Sequence, residues 1–143
     1  MPTRTVQEII EKSNPVIVEH DERIIDVARI MVESGEEAAL VVNKGKTVGI
    51  VTESDLIHRV LLSEKDIKTM PVENIMTRKT VIIRPERLYG QALYLMHEYN
   101  VRHIPVVDKG NPVGVVSASD ALIPEIKTYE HDVEMLDHIA EII

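Results

Sequence analysis

The sequence predicts a mixed α/β (α+β) protein: two β-α-β-β-α repeats packed as a pseudo-twofold pair, followed by a C-terminal helix. Three observations predict it. The chain resembles itself at one constant offset, and the hydrophobic period changes in the same order in each half. Each half also ends in the same way, on an apolar strand running into hydroxyl-x-Ser-Asp: TVGIVTESD at Thr47 to Asp55 and PVGVVSASD at Pro112 to Asp120.

An offset of 65 positions pairs Val16 with Val81, Ile17 with Ile82, Met31 with Met96 and Val41-Val42 with Val106-Val107 without a gap. It also pairs Lys44-Gly45 with Lys109-Gly110, Val48-Gly49 with Val113-Gly114 and Ser54-Asp55 with Ser119-Asp120. Unrelated forty-residue segments share only about two or three positions, so the halves are duplicates. One copy of about 60 residues is marginal as a free-standing fold, whereas two copies packed face to face bury both sheets.

Taken in order, the first copy opens on a short helical lead-in, VQEII (Val6 to Ile10), matched by VENIM (Val72 to Met76) one residue out of register, so that each repeat carries its own lead-in. PVIVE is a β-rich run, after which Ile24, Val27, Ala28 and Met31 recur at helical spacing. AALVV and TVGIV are apolar runs flanking Asn43-Lys44-Gly45-Lys46, a hairpin turn in which Gly45 is free to take positive φ. A second helix begins near Ser54 and carries Leu56, Val60 and Leu61.

The second copy repeats the order. A strand is expected over Thr80 to Arg84, a helix over Leu88, Ala92, Leu95 and Met96, then IPVVD and PVGVVS around Lys109-Gly110. Pro124 stands where the first copy has Arg59, and there it kinks or shortens the last helix. The divisions are residues 1–63 for the first repeat with its lead-in, 64–70 for a polar linker, 71–127 for the second repeat, and 128–143 for the C-terminal helix. Tyr129, Val133, Leu136, Ala140 and Ile143 give that helix one apolar stripe, which caps its own domain or forms a dimer contact.

Composition removes several function classes. A formal charge of −8, with no Phe or Trp and four Tyr, opposes a nucleic-acid surface, which needs clustered cations and benefits from aromatic platforms. The absence of cysteine removes thiolate chemistry, disulfides and Cys-based zinc sites. No apolar run approaches the roughly 20 residues that span a bilayer, so no membrane partner and a cytoplasmic location are expected. His131 and His138 lie seven apart with Glu134 near them, a poorer spacing than the i, i+4 pair of helical zinc sites, and no metal site is assigned. No catalytic residue is assigned either, because Gly-x-Ser-x-Gly, Walker-type loops and a framed carboxylate pair are all missing.

Chemistry concentrates at the repeated ending. Thr52 with Asp55, and Ser117 with Asp120, have capping-box spacing, in which each side chain satisfies a free donor of the helix start. The same corner presents backbone N–H groups and a hydroxyl to a polar ligand group, and an adjacent Asp accepts hydrogen bonds from both hydroxyls of a ribose. Duplication by itself leaves both readings open.

Each repeat resembles a cystathionine-β-synthase (CBS) domain, and the pair resembles the tandem arrangement called a Bateman module. The resemblance spans Val6 to about Ile126 and rests on AALVVNKGKTVGIVTESDLI, PVENIMTRKTVIIRP and YNVRHIPVVDKGNPVGVVSASDAL. It implies two clefts between the repeats, each for an adenosyl ligand such as AMP, ADP, ATP or S-adenosylmethionine acting as a regulatory ligand. It also implies a homodimer of four repeats and a regulated partner protein. Carried over, the main cleft uses Ile50, Thr52, Asp55, Thr77, Val81, Val101, Arg102 and His103, and the second uses Val16, Glu37, Ala38, Val115, Ser117 and Asp120. The clefts are expected to be unequal. Arg102 and His103 suit a phosphate, whereas their counterparts Glu37 and Ala38, preceded by Glu36, bring like charge to it.

Overall fold

The computed structural model describes residues 4–122 and 141. Apart from residue 141, the expected C-terminal helix, with its histidines, lies outside the described residues, as does Pro124. In the first repeat, α1 (Val6–Ile10) leads to β1 (Val16–Glu19), α2 (Ile24–Ser34), β2 (Ala38–Asn43) and β3 (Lys46–Thr52). The chain then enters a three-residue α-turn, α3 (Glu53–Asp55), which continues as a wider π-helical segment, Leu56–Leu61. The second repeat holds a 3-10 turn (Val72–Asn74), α4 (Tyr89–Tyr99), β4 (His103–Asp108), β5 (Asn111–Ser117) and a 3-10 turn (Ala118–Leu122).

Strand β2 is central in the first sheet, parallel to β1 and antiparallel to β3, and every residue from Ala38 to Val42 is buried. The hairpins turn at Lys44-Gly45 and Lys109-Gly110, with φ of 53° and 78° in the first and 52° and 83° in the second. Both turn residues are therefore left-handed, the primed geometry that matches strand twist. Helices α2 and α4 end on equivalent left-handed residues, Gly35 and Asn100.

The second sheet differs from expectation. Among the described residues it holds β4 and β5 alone, and the strand expected over Thr80–Arg84 is reduced to one parallel bridge between Ile83 and Val106. Ile83 N–H donates to Pro105 O at 3.0 Å and Val107 N–H donates to Ile83 O at 3.0 Å. Parallel pairing repeats every second residue, so the next donor back along β4 is the nitrogen of Pro105, which carries no hydrogen. The first copy has Leu40 at this position.

The lead-ins cross. Val72, Ile75 and Met76 belong to the apolar cluster of the first repeat, with Val18, Ile24, Val27 and Val51. Val6 and Ile10 belong to that of the second, with Tyr89, Ile104, Val106 and Val116. Each lead-in precedes one repeat in sequence and packs in the core of the other. The Gly of each Val-Gly pair permits the crossing: a Cβ on Gly49 would stand 2.6 Å from Met76 Sδ and 2.8 Å from Thr77 O, and one on Gly114 would stand 3.1 Å from Ile10 Cβ.

The linker is packed as well. Its Ile67 and Met70 carbonyls accept the N–H groups of Ile25 and Ile24, capping α2, whose N-cap residue Arg23 makes no side-chain cap. His20 Nδ1 meets Glu73 Oε2 at 2.7 Å and fastens the second lead-in to the end of β1. A third small cluster, Ala38, Leu40 and Ile50 with Val115 against it, joins β2 and β3 to β5 across the seam between the repeats. Leu61, expected on the apolar side of its helix with Leu56 and Val60, is exposed, because the wider π turn rotates it away from the face that Val60 buries.

Candidate ligand-binding clefts

Both hydroxyl-x-Ser-Asp corners open onto clefts at the seam. Thr52 sits at the end of β3 in extended backbone, and its N–H donates to Asp55 Oδ2 at 2.9 Å while Asp55 N–H donates to Thr52 Oγ1 at 3.3 Å. This is the full capping box. The other carboxylate oxygen, Oδ1, accepts from Thr77 Oγ1 at 3.4 Å and lies 3.5 Å from Arg59 Nε. Thr77 arrives there because it bridges to Ile50, each N–H donating to the other's carbonyl, at 3.0 and 2.8 Å. The crossing of the lead-ins therefore places this hydroxyl.

The second corner repeats half of the box. Ser117 N–H donates to Asp120 Oδ2 at 2.8 Å, and Ser117 Oγ pairs with Ser119 Oγ at 2.7 Å. Tyr89, buried in the second core, donates its hydroxyl to Ser117 O at 2.7 Å. Burial first, and the nearby Asp120 carboxylate second, push the Tyr89 phenol up to about 12.

A cleft of about 450 Å³ is lined by Ile50, Thr52 and Asp55 from the first repeat, by Thr77, and by Val101, Arg102 and His103 from the second. These are seven of the eight positions expected for a main cleft. Val81 does not line it; it packs against the second core, and Thr80, on the alternate side of the extended chain, lines the cleft instead. A second cleft of about 230 Å³ is lined by all six positions expected for it: Val16, Glu37, Ala38, Val115, Ser117 and Asp120.

Glu37 and His103 line both clefts. The expected division, with Glu37 in the second cleft and His103 in the main one, is replaced by a shared wall. His103 Nε2 lies 3.3 Å from Glu37 Oε2. No local pattern signals this contact, since 66 positions separate the two residues and neither is paired with the other by the repeat. The larger cleft carries Glu37, Glu53 and Asp55 against Arg102 and His103, and the smaller carries Glu36, Glu37 and Asp120 against His103. Ser13, Pro15 and Gly35, which sequence reasoning did not select, complete the smaller cleft; Pro15 and Gly35 stand 65 positions before Thr80 and Asn100 of the larger one. Among the described residues no group of three His, Asp or Glu side chains is arranged to hold a metal ion, and no helix is long and apolar enough to cross a membrane.

Twin corners facing across a pseudo-twofold seam define a tandem-repeat domain pair, and comparison with known proteins gives its family. The CBS domain family matches residues 6–62 and 72–123, and the chain belongs to it. It is 40% identical over 107 residues to the uncharacterized protein MJ1404 of Methanocaldococcus jannaschii, a stretch covering 73% of this chain and 25% of that protein, so the chain spans about a quarter of this relative's length. The CBS domain pair of protein MJ0100, solved in complex with 5′-methylthioadenosine and S-adenosyl-L-methionine, superposes with a TM-score of 0.78 at 26% identity, covering 89% of this chain and 99% of that one. A hexameric CBS-CP12 protein from bloom-forming cyanobacteria superposes with a TM-score of 0.75 at 25% identity, covering 96% and 90%.

Proposed function

We propose that the chain is a non-catalytic regulatory module that binds an adenosyl ligand, AMP, ADP, ATP or S-adenosylmethionine, between its repeats. Binding acts through the conformation or association of a cytoplasmic homodimer that engages a regulated partner protein. The observation that carries this reading is the composition of the larger cleft: the acid and hydroxyl of one repeat share it with Arg102 and His103 of the other. Asp55 Oδ1 accepts the ribose hydroxyls, and Thr52, Arg102 and His103 hold phosphate, charge-assisted bonds from Arg102 being the stronger. The neighbour that holds two adenosyl ligands supports the ligand class. The exposed apolar side chains of Ile57 and Leu61 in the π turn and of Leu62 at its end support self-association, as does the existence of an oligomeric relative of this fold.

A second reading has one observation in its favour: the capping box at Thr52 and Asp55 is complete without a ligand. On that reading the Asp motifs only cap helices, and the module docks proteins. Calorimetric titration with AMP, ADP, ATP, S-adenosylmethionine and NAD separates the two. A micromolar response to at least one adenosyl ligand is expected, and silence across the panel leaves the docking reading.

A further inference from the structure

The contact between Glu37 and His103 is where the repeat symmetry fails. Moving each residue by the 65-residue offset turns the pair into Arg102 and Ala38, which cannot form an ion pair. One such contact therefore stands at the seam, where a symmetric dimer of domains would have two or none. It joins the repeats, and both partners line both clefts. The Glu37 side chain is 61% exposed, so it is free to swing, whereas the His103 side chain is 15% exposed and held.

We infer that this pair sorts the ligands of the two clefts by charge and couples their occupancy, an inference that rests on the adenosyl reading above. A phosphate in the larger cleft takes the Nε2–H of His103 and competes with Glu37 for it. The displaced carboxylate then adds to Glu36 and Asp120 in the smaller cleft, which among the described residues has no Lys or Arg in its lining. That cleft repels phosphate and attracts an adenosyl ligand bearing a sulfonium or ammonium cation. A nucleoside monophosphate in the larger cleft consequently tightens binding of an adenosyl cation in the smaller one, and linkage requires the reverse effect to be equal. Glu37 is thus the specificity-determining residue for both clefts, although it belongs to the first repeat alone.

The test is titration of AMP and S-adenosylmethionine, singly and each in the presence of the other, into the wild-type protein and Glu37→Gln, with Asp55→Ala and Asp120→Ala assigning each ligand to a cleft. The wild type is expected to hold AMP at the cleft sensitive to Asp55→Ala and S-adenosylmethionine at the one sensitive to Asp120→Ala, with saturating AMP tightening the latter roughly fivefold, the lower end of measured coupling. Glu37→Gln is expected to remove that coupling and to weaken S-adenosylmethionine about tenfold, the loss of one charged contact. His103→Gln, a second variant on the other repeat, is expected to remove the coupling as well. If both ligands bind and Glu37→Gln changes neither coupling nor charge preference, the inference is overturned and the adenosyl reading stands. If neither ligand binds the wild type, the inference falls, and the adenosyl reading falls with it only if ADP, ATP and NAD are silent as well.

Discussion

Arg59 Nε lies 3.5 Å from Asp55 Oδ1, the carboxylate oxygen that the capping box leaves open. The same guanidinium donates to Met76 O at 3.1 Å, so it spans from the corner of β3 to the crossed lead-in. A ribose bound to Asp55 must share that oxygen or displace Arg59. Arg59→Gln is expected to tighten AMP binding a few-fold while lowering stability by about 1 kcal/mol, because the Asp55 side chain is only 12% exposed and the bond to Met76 O is lost with the ion pair. Calorimetry and denaturant unfolding measure both, and weaker AMP binding in the variant would show that Arg59 serves the ligand rather than competing with it.

Asp55 carries two roles that substitutions can separate. Thr52→Val removes the side-chain cap and retains the carboxylate; it is expected to cost about 1 kcal/mol of stability. Asp55→Ala removes cap and ribose acceptor together, and is expected to lower AMP affinity at least about tenfold, the worth of a charged hydrogen bond. Asp120→Ala is expected to affect AMP less. The opposite ranking would move the phosphate-binding ligand to the smaller cleft.

The two Val-Gly pairs differ in the room they leave. A Cβ at Gly49 meets the backbone oxygen of Thr77 at 2.8 Å, whereas at Gly114 it meets side-chain carbons of Ile10 at 3.1 Å and beyond. Backbone held by two hydrogen bonds yields less than a side chain. Gly49→Ala is expected to destabilise by about 1–3 kcal/mol, with Gly114→Ala at or below the lower end of that range. Gly49→Ala should also weaken adenosyl binding, since the Ile50–Thr77 bridge positions the Thr77 hydroxyl. Thermal unfolding of the two variants side by side checks the order.

Tyr89 makes stability depend on alkaline pH. Its folded phenol, pushed up to about 12, stays protonated where the unfolded phenol, near 10, ionises. The unfolded state then binds fewer protons than the folded state, so this contribution is fully present below pH 10 and is lost as pH rises from about 10 to about 12. Tyr89→Phe is expected to flatten that slope while costing about 0.5–1.5 kcal/mol at neutral pH through the hydrogen bond to Ser117 O. Urea unfolding as a function of pH gives both quantities.

Much of this architecture is legible in the residues, and the parts that are not have physical reasons. Internal similarity and alternating periods reveal the repeats, the hairpins at Lys44-Gly45 and Lys109-Gly110, and the two Asp corners, because each depends on contacts close in sequence. Pro105 is visible as a residue, but its effect depends on which chain segment faces it, and only the register set by the Ile83–Val106 bridge makes the missing N–H matter. The crossing of the lead-ins is a choice between two cores of nearly the same composition, so local pattern does not decide it; Gly49 and Gly114 are its trace in the sequence. The Glu37–His103 contact arises from how the repeats face one another, which a comparison of aligned positions does not reveal.

Recognition of ribose by Asp55 is measured by comparing AMP with 2′-deoxy-AMP in the wild type and in Asp55→Ala. Removing the 2′-hydroxyl is expected to weaken binding to the wild type by about tenfold or more, the worth of a hydrogen bond to a charged group, and to make little further difference in the variant. Equal affinity of the wild type for both nucleotides, or the same discrimination in Asp55→Ala, would mean that Asp55 does not hold the ribose.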